Sequence, residues 1–144
     1  MTKGIVLIAQ NSEYDYVEQA CALAMSIRAT NDTKVCLLTN DTVPSRYVDL
    51  FDVIKEIPWE DDSANMAWKV ANRWKLYHAS PYDETIVMDT DMLVLQNLDS
   101  WWNFLSNYEV FYTSKVYTYR GEVVNDTYYR KTYIANNLPN VYSG

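Results

Sequence analysis

Glycine is scarce in this chain, three residues of 144, and no repeat or low-complexity tract occurs, so nothing in the composition points to a disordered polymer. Positive charge is short as well. Twelve Lys and Arg stand against nineteen Asp and Glu, a formal net charge of −7. Nucleic acid as a partner is thereby disfavoured, because binding a phosphate backbone needs clustered cations. A single nucleotide is not excluded, since a bound metal ion can supply the missing positive charge. Long apolar runs are missing too: no stretch approaches the roughly 20 residues of a membrane span. The run Gly4 to Ala9 is too short for the apolar part of a secretion signal, and no cleavage pattern follows it. Cysteine occurs only at Cys21 and Cys36, each inside an apolar stretch, which suits two reduced, buried thiols better than a disulfide or a metal pair. A cytoplasmic location is the default expectation. The single histidine, His78, reads as a structural residue near a helix end rather than a ligand.

What is present is enough for one domain with a proper core: 49% of the residues are apolar. Gly4-Ile-Val-Leu-Ile-Ala9 has the make-up of a strand buried on both faces. Asn11 or Ser12 then offers a cap, and Val17, Ala20, Cys21, Ala24, Met25 and Ile27 recur at helical spacing up to Asn31-Asp32. Lys34 to Thr39 reads as a second strand, which completes a βαβ unit and predicts a parallel pair with a right-handed crossover. A short helix from Pro44 to about Phe51, a third strand over Asp52 to Glu56 and a helix from about Ala64 to His78 follow. The acidic cluster Asp61-Asp62-Ser63 lies ahead of that last helix, where capping and dipole complementarity are its expected work. Thr85 to Met88 is a fourth buried strand. Alternating strands and helices argue for an α/β sandwich of three layers around a mostly parallel sheet. Beyond Asp99 the rhythm weakens: a helical turn at Trp101 to Leu105, a strand at Glu109 to Thr113, and a hairpin or long loop from Val116 to Arg130.

In such sheets ligands bind beyond the carboxyl ends of the strands. Two polar groups fall there, Gln10-Asn11 after the first strand and Asp89-Thr90-Asp91 after the fourth. Alternate residues of an extended chain face the same way, so Asp89 and Asp91 can reach one hard cation, Mn²⁺ or Mg²⁺. Such an ion, shared with diphosphate oxygens, neutralises charge on a nucleoside-diphosphate leaving group. Asp-x-Asp alone is a weak signal. Its setting strengthens it, because Thr85-Ile-Val-Met-Asp-Thr-Asp-Met-Leu-Val-Leu95 surrounds the acids with apolar residues, where unpaired carboxylates are costly.

This segment, with Asn97-Leu-Asp99 and the aromatic-rich turn after it, resembles GT-A fold glycosyltransferases, most closely the glycogenin and lipopolysaccharide-galactosyltransferase group. Ala9-Gln-Asn-Ser-Glu-Tyr14 is similar to that group's uridine-cradling segment, and Trp74-Lys-Leu76 to its Lys-Leu element. The resemblance implies a metal-dependent transferase of UDP-sugars. Asn11 and Tyr14 would face uracil and ribose, and Ala9 and Gln10 would offer backbone groups. Thr90 would belong to the nucleotide site, and Asp89 would hold the ribose or the metal's water shell. Asp91 would ligate the metal, and Lys75 would balance diphosphate charge. The closing Asn140-Val-Tyr-Ser-Gly144 resembles an element that helps bind the transferred sugar, which makes Ser143 and Gly144 sugar-site candidates.

Members of that group run to roughly 250 residues or more. The expectation is therefore that residues 1–144 form a nucleotide-sugar-binding donor half, incomplete at the C-terminus, with a carbohydrate or protein acceptor unspecified and self-association open. Two rivals stand beside it. One is a phosphohydrolase of the haloacid dehalogenase type with Asp89 as nucleophile, disfavoured by Leu93 and by the late position of the acids. The other is a non-catalytic module that recognises sugars or protein through Trp59, Trp68, Trp74, Trp101 and Trp102, most of which core packing explains more simply.

Overall fold

A computed structural model describes residues 1–66, 69–108, 110–112, 117, 118, 120–123 and 141–143. The chain divides into two compact units, Met1–Asn97 and Leu98–Gly144.

The first unit is built on a four-stranded, wholly parallel sheet. Its strands are β1 (Lys3–Ile8), β2 (Lys34–Leu38), β3 (Val53–Lys55) and β4 (Glu84–Met88), in the order β3-β2-β1-β4. The α/β character read from the sequence is thus present. β1 and β2 lie at the centre and are apolar at successive positions because both faces are covered: Ile5, Val6, Leu7, Val35, Cys36, Leu37 and Leu38 have no exposed surface. Each fully buried Leu or Ile of this kind is worth roughly 1.5–3 kcal/mol. On one face Val6, Cys36 and Leu38 pack with Ile57, Leu76 and Ala79, flanked by Ile8, Val53 and Tyr82. The opposite face carries Ile5, Leu7, Val35 and Leu37. β4 alternates instead, with Ile86 and Met88 buried and Val87 exposed.

The crossover between β1 and β2 is helix α1 (Tyr16–Thr30), whose buried stripe is Val17, Ala20, Cys21, Leu23, Ala24 and Ile27. Its cap is Asp15, which accepts the Glu18 N–H at 2.9 Å, rather than the Asn11 or Ser12 expected. Asn11 still serves the same end, because its Oδ1 accepts the Val17 N–H at 3.0 Å from six residues upstream. At the other end Arg28 donates to the Leu50 and Thr33 carbonyls, both at 3.1 Å, and to Asp52 Oδ2 at 2.6 Å. Asp52 also accepts the Val35 N–H at 2.8 Å. Burial works against its ionised form, but that N–H and the Arg28 guanidinium outweigh it and hold the carboxyl below its usual range. Both cysteines are free and buried, as expected, and burial pushes the Cys36 thiol up to about 11.

The main departure lies between β3 and β4. The helix expected over Ala64 to His78 does not form as one element among the described residues: turns occupy 62–65 and 69–72, a 3-10 turn spans Arg73–Lys75, and α2 is only Leu76–Ala79. Side chains take over the backbone groups a helix needs. Asp61 Oδ1 accepts the Ser63 N–H at 2.8 Å, Asn72 Oδ1 accepts the Asp62 N–H at 3.1 Å, and Lys69 Nζ donates to the Ser63 and Ala64 carbonyls at 2.7 and 3.2 Å.

The second unit holds α3 (Asp99–Leu105) and a parallel pair, β5 (Val110–Tyr112) with β6 (Val141–Ser143). Tyr117 and Val123 form an antiparallel bridge, beside which the Gly121 N–H, at φ 78°, donates to the Thr118 carbonyl at 2.9 Å. The rest of the hairpin or loop expected over Val116 to Arg130 lies outside the described residues. Among the described residues no helix is long and apolar enough to cross a membrane.

Candidate functional site

The strand order decides where a site belongs. From β1 the chain proceeds to β2 and β3 on one side, then returns to place β4 on the other. The connections therefore diverge between β1 and β4, and a crevice opens beyond their carboxyl ends. A cavity of about 280 Å³ lies there, just under the roughly 300–1,000 Å³ usual for small-ligand sites. Ile8 and Gln10 line it from the end of β1, Asp89, Thr90 and Asp91 from the end of β4, Tyr16 from the start of α1, and Lys69, Val70 and Arg73 from the segment ahead of α2.

Its electrostatics are mixed. Asp89 is half-exposed, Thr90 buried and Asp91 exposed. The Arg73 guanidinium forms an ion pair with Asp89 Oδ1, both side chains remaining open to solvent. Lys69 adds a second cation to the wall. Hard oxygen ligands on two carboxylates fit Mg²⁺ or Mn²⁺, which commonly takes one or two carboxylates and completes its shell with phosphate and water oxygens. Among the described residues no group of three or more His, Cys, Asp and Glu side chains is arranged to hold a metal.

Of the residues singled out from the sequence, Gln10, Asp89, Thr90 and Asp91 meet on this cavity. Ala9 is buried beside it in the chain, its N–H donating to the Leu38 carbonyl at 3.0 Å. Asn11 is held by two bonds: its N–H donates to Asp41 Oδ2 at 2.7 Å, and its side chain binds the start of α1. Tyr14 is 63% exposed and meets Tyr16 edge-on, with ring centres 6.2 Å apart. Lys75 is fully buried and is not part of the cavity wall. Its ammonium donates to the Glu60 carbonyl and lies 3.4 Å from Asp62 Oδ2. Ser143 ends β6 in the second unit, and Gly144 lies outside the described residues.

Five cavity residues went unmarked in the sequence: Ile8, Tyr16, Lys69, Val70 and Arg73. Arg73 and Lys75 are two apart in a 3-10 turn, where three residues complete a circle, so they point in different directions. A helical-wheel reading of Ala64 to His78 could not separate them. The acidic cluster also exceeds its expected capping work. Asp61 accepts from Asn72 Nδ2 at 2.6 Å, and that bond, partly opposed by slight desolvation, holds its carboxyl below the usual range. Of the five tryptophans, most of which core packing was expected to explain, Trp59 and Trp74 are 62% and 54% exposed. They stack at 5.3 Å with planes 9° apart, and His78 meets both edge-on, a structural role for that side chain. Trp59 adopts a left-handed φ of 62°, uncommon for a bulky residue.

No protein-family model matches this chain, and no curated protein matches it.

Proposed function

We propose that this chain binds a nucleoside-diphosphate sugar, with UDP as the preferred nucleotide and Mn²⁺ or Mg²⁺ as the bridging ion, for glycosyl transfer. The observation that carries the reading is the convergence of the Asp89 and Asp91 carboxylates with the Lys69 and Arg73 cations on one cavity at the carboxyl ends of β1 and β4. A lone acidic pair favours only a cation and a lone basic pair only an anion. The combination suits an anion delivered together with its metal.

In this reading Asp91 and Asp89 would hold the ion, which would supply positive charge toward a diphosphate leaving group. Arg73 turns from Asp89 to the diphosphate oxygens, and Lys69 adds a further positive charge. Thr90, buried between the acids, fixes the chain that presents them. Tyr16 and the Asn11–Tyr14 segment offer an aromatic edge and polar groups for the base and ribose. A GT-A-like fold, with residues 1–144 serving as donor half, agrees with the parallel sheet and with this position of the acids. The transferred sugar and its acceptor lie outside what these residues address.

The test is a calorimetric titration of the chain with UDP in Mn²⁺ and again in EDTA. Ion-dependent binding that disappears in Asp91→Asn, at an unchanged melting temperature, supports the reading. Asp91 is exposed, so its substitution leaves the fold within about 0.5 kcal/mol. Equal affinity with and without the ion would sink the metal assignment, and no binding in either condition would sink the nucleotide.

A further inference from the structure

Gln10 is a cavity residue whose side chain bonds directly to the buried Asn72 amide. Asn72 has no exposed surface, and all three of its amide bonding groups are engaged: Nδ2 donates to Gln10 Oε1 and to Asp61 Oδ1, both at 2.6 Å, and Oδ1 accepts the Asp62 N–H at 3.1 Å. The orientation of this amide is not free. An ionised carboxylate only accepts and a backbone N–H only donates, so Asp61 and Asp62 together direct Asn72 with its nitrogen toward Asp61 and its oxygen toward Asp62. That nitrogen then compels Gln10 to turn its own oxygen inward. What Gln10 has left is N–H. The Gln10 side chain is also a lesser cause of the lowered Asp61 carboxyl, and Gln10 lines the cavity.

We propose that Asn72 is a positioning residue that sets the polarity of the cavity wall, so that Gln10 presents a hydrogen-bond donor to an acceptor oxygen of the bound nucleotide. The inference rests on the reading of the cavity as a nucleotide-diphosphate site and adds the element that reads the ligand's oxygen. Neither residue carries this information alone. Gln10 can offer either end of its amide, and only the pair Asp61 and Asp62, acting through Asn72, chooses one.

The test is a double-mutant cycle read by UDP titration in Mn²⁺, using wild type, Gln10→Ala, Asn72→Ala and the double variant, each with its melting temperature. If Asn72 acts through Gln10, each single change weakens UDP about tenfold and the double change weakens it about tenfold as well, rather than about a hundredfold. Asn72→Asp keeps the side-chain shape but cannot donate, and it should lose the same tenfold. Additive losses, or affinity that falls only in step with melting temperature, overturn the proposal and leave the nucleotide reading standing. Failure of the wild type to bind UDP defeats the nucleotide reading itself and takes this proposal with it. Amide NMR of the ligand-free chain checks the relay separately: the Asn72 side-chain protons should exchange slowly, and Asn72→Ala should raise the pKa of Asp61. Fast exchange in the wild type overturns the relay.

Discussion

Replacing Arg73 with alanine separates the two electrostatic roles of the cavity, because the guanidinium now pairs with Asp89 while facing the space assigned to diphosphate. Stability should barely respond. The two side chains are 49% and 42% exposed, and exposed ion pairs are worth about 0.2–1 kcal/mol. In a domain of this size that amounts to a melting-temperature change of at most about 4 °C. Ligand binding should respond strongly. Hydrogen bonds to a charged group contribute about 1.5–3 kcal/mol, so losing the guanidinium weakens UDP in Mn²⁺ by about 10- to 150-fold. Binding of Mn²⁺ alone should move the opposite way. Asp89 is released from a competing cation, and removing a unit charge a few ångströms away near solvent relieves about 1 kcal/mol, about fivefold in affinity. Calorimetry with UDP, paired with Mn²⁺ titration followed by electron paramagnetic resonance, reads both signs on one preparation. Opposite shifts fit the site as drawn. Parallel weakening of both ligands would mean that Arg73 only supports the fold around the cavity, and no change in either would remove it from the site.

Lys75→Ala should lower stability by about 1–3 kcal/mol, since it empties a buried volume and removes the donor to the Glu60 carbonyl, while Lys75→Met refills the volume without the bond and recovers part of the loss; thermal melts check this. UDP affinity in Lys75→Met should change far less than in Arg73→Ala, and a comparable loss would return Lys75 to the site. Cys36 should resist alkylation at pH 8 until the chain unfolds. Its pKa is raised on folding, so the folded state holds its proton longer: that contribution to stability is fully present below about pH 9 and is lost as pH rises to about 11, and unfolding curves across that window test the sign. Gly4→Ala should destabilise by about 1–3 kcal/mol, because its Cβ would sit 2.2 Å from the Tyr82 ring, itself packed against the core; an unchanged denaturant midpoint would show that the ring moves aside freely.

Reading the chain in order recovers the strands well because each is a short apolar run between polar breaks. β1, β2 and β4 fall within a residue or two of their expected limits, and α1 keeps the stripe expected of it except at Met25, which is exposed while Leu23 is buried. The acids at 89 and 91 were legible for the same reason: they interrupt an apolar run. The segment from Asp61 to His78 was not. Its composition suits a helix, yet Asp61, Lys69 and Asn72 satisfy backbone and side-chain groups across turns, and with the long-range bond from Asn72 to Gln10 they outweigh local propensity. Lys75 and Arg73 differ only in which way a 3-10 turn aims them, which no spacing along the chain encodes.

Sequence alone therefore determined the α/β class, the order of strands along the chain and the acidic pair at the end of the fourth, since hydrophobic periodicity and breaks in apolar runs are local properties. Tertiary structure decided that β4 lies beside β1, which brings Gln10 to the same cavity as Asp89 and Asp91. It also decided which cations face the acids and which way the Gln10 amide points. Those outcomes depend on strand neighbours and on hydrogen bonds between residues 62 apart, which form only once the chain has closed on itself.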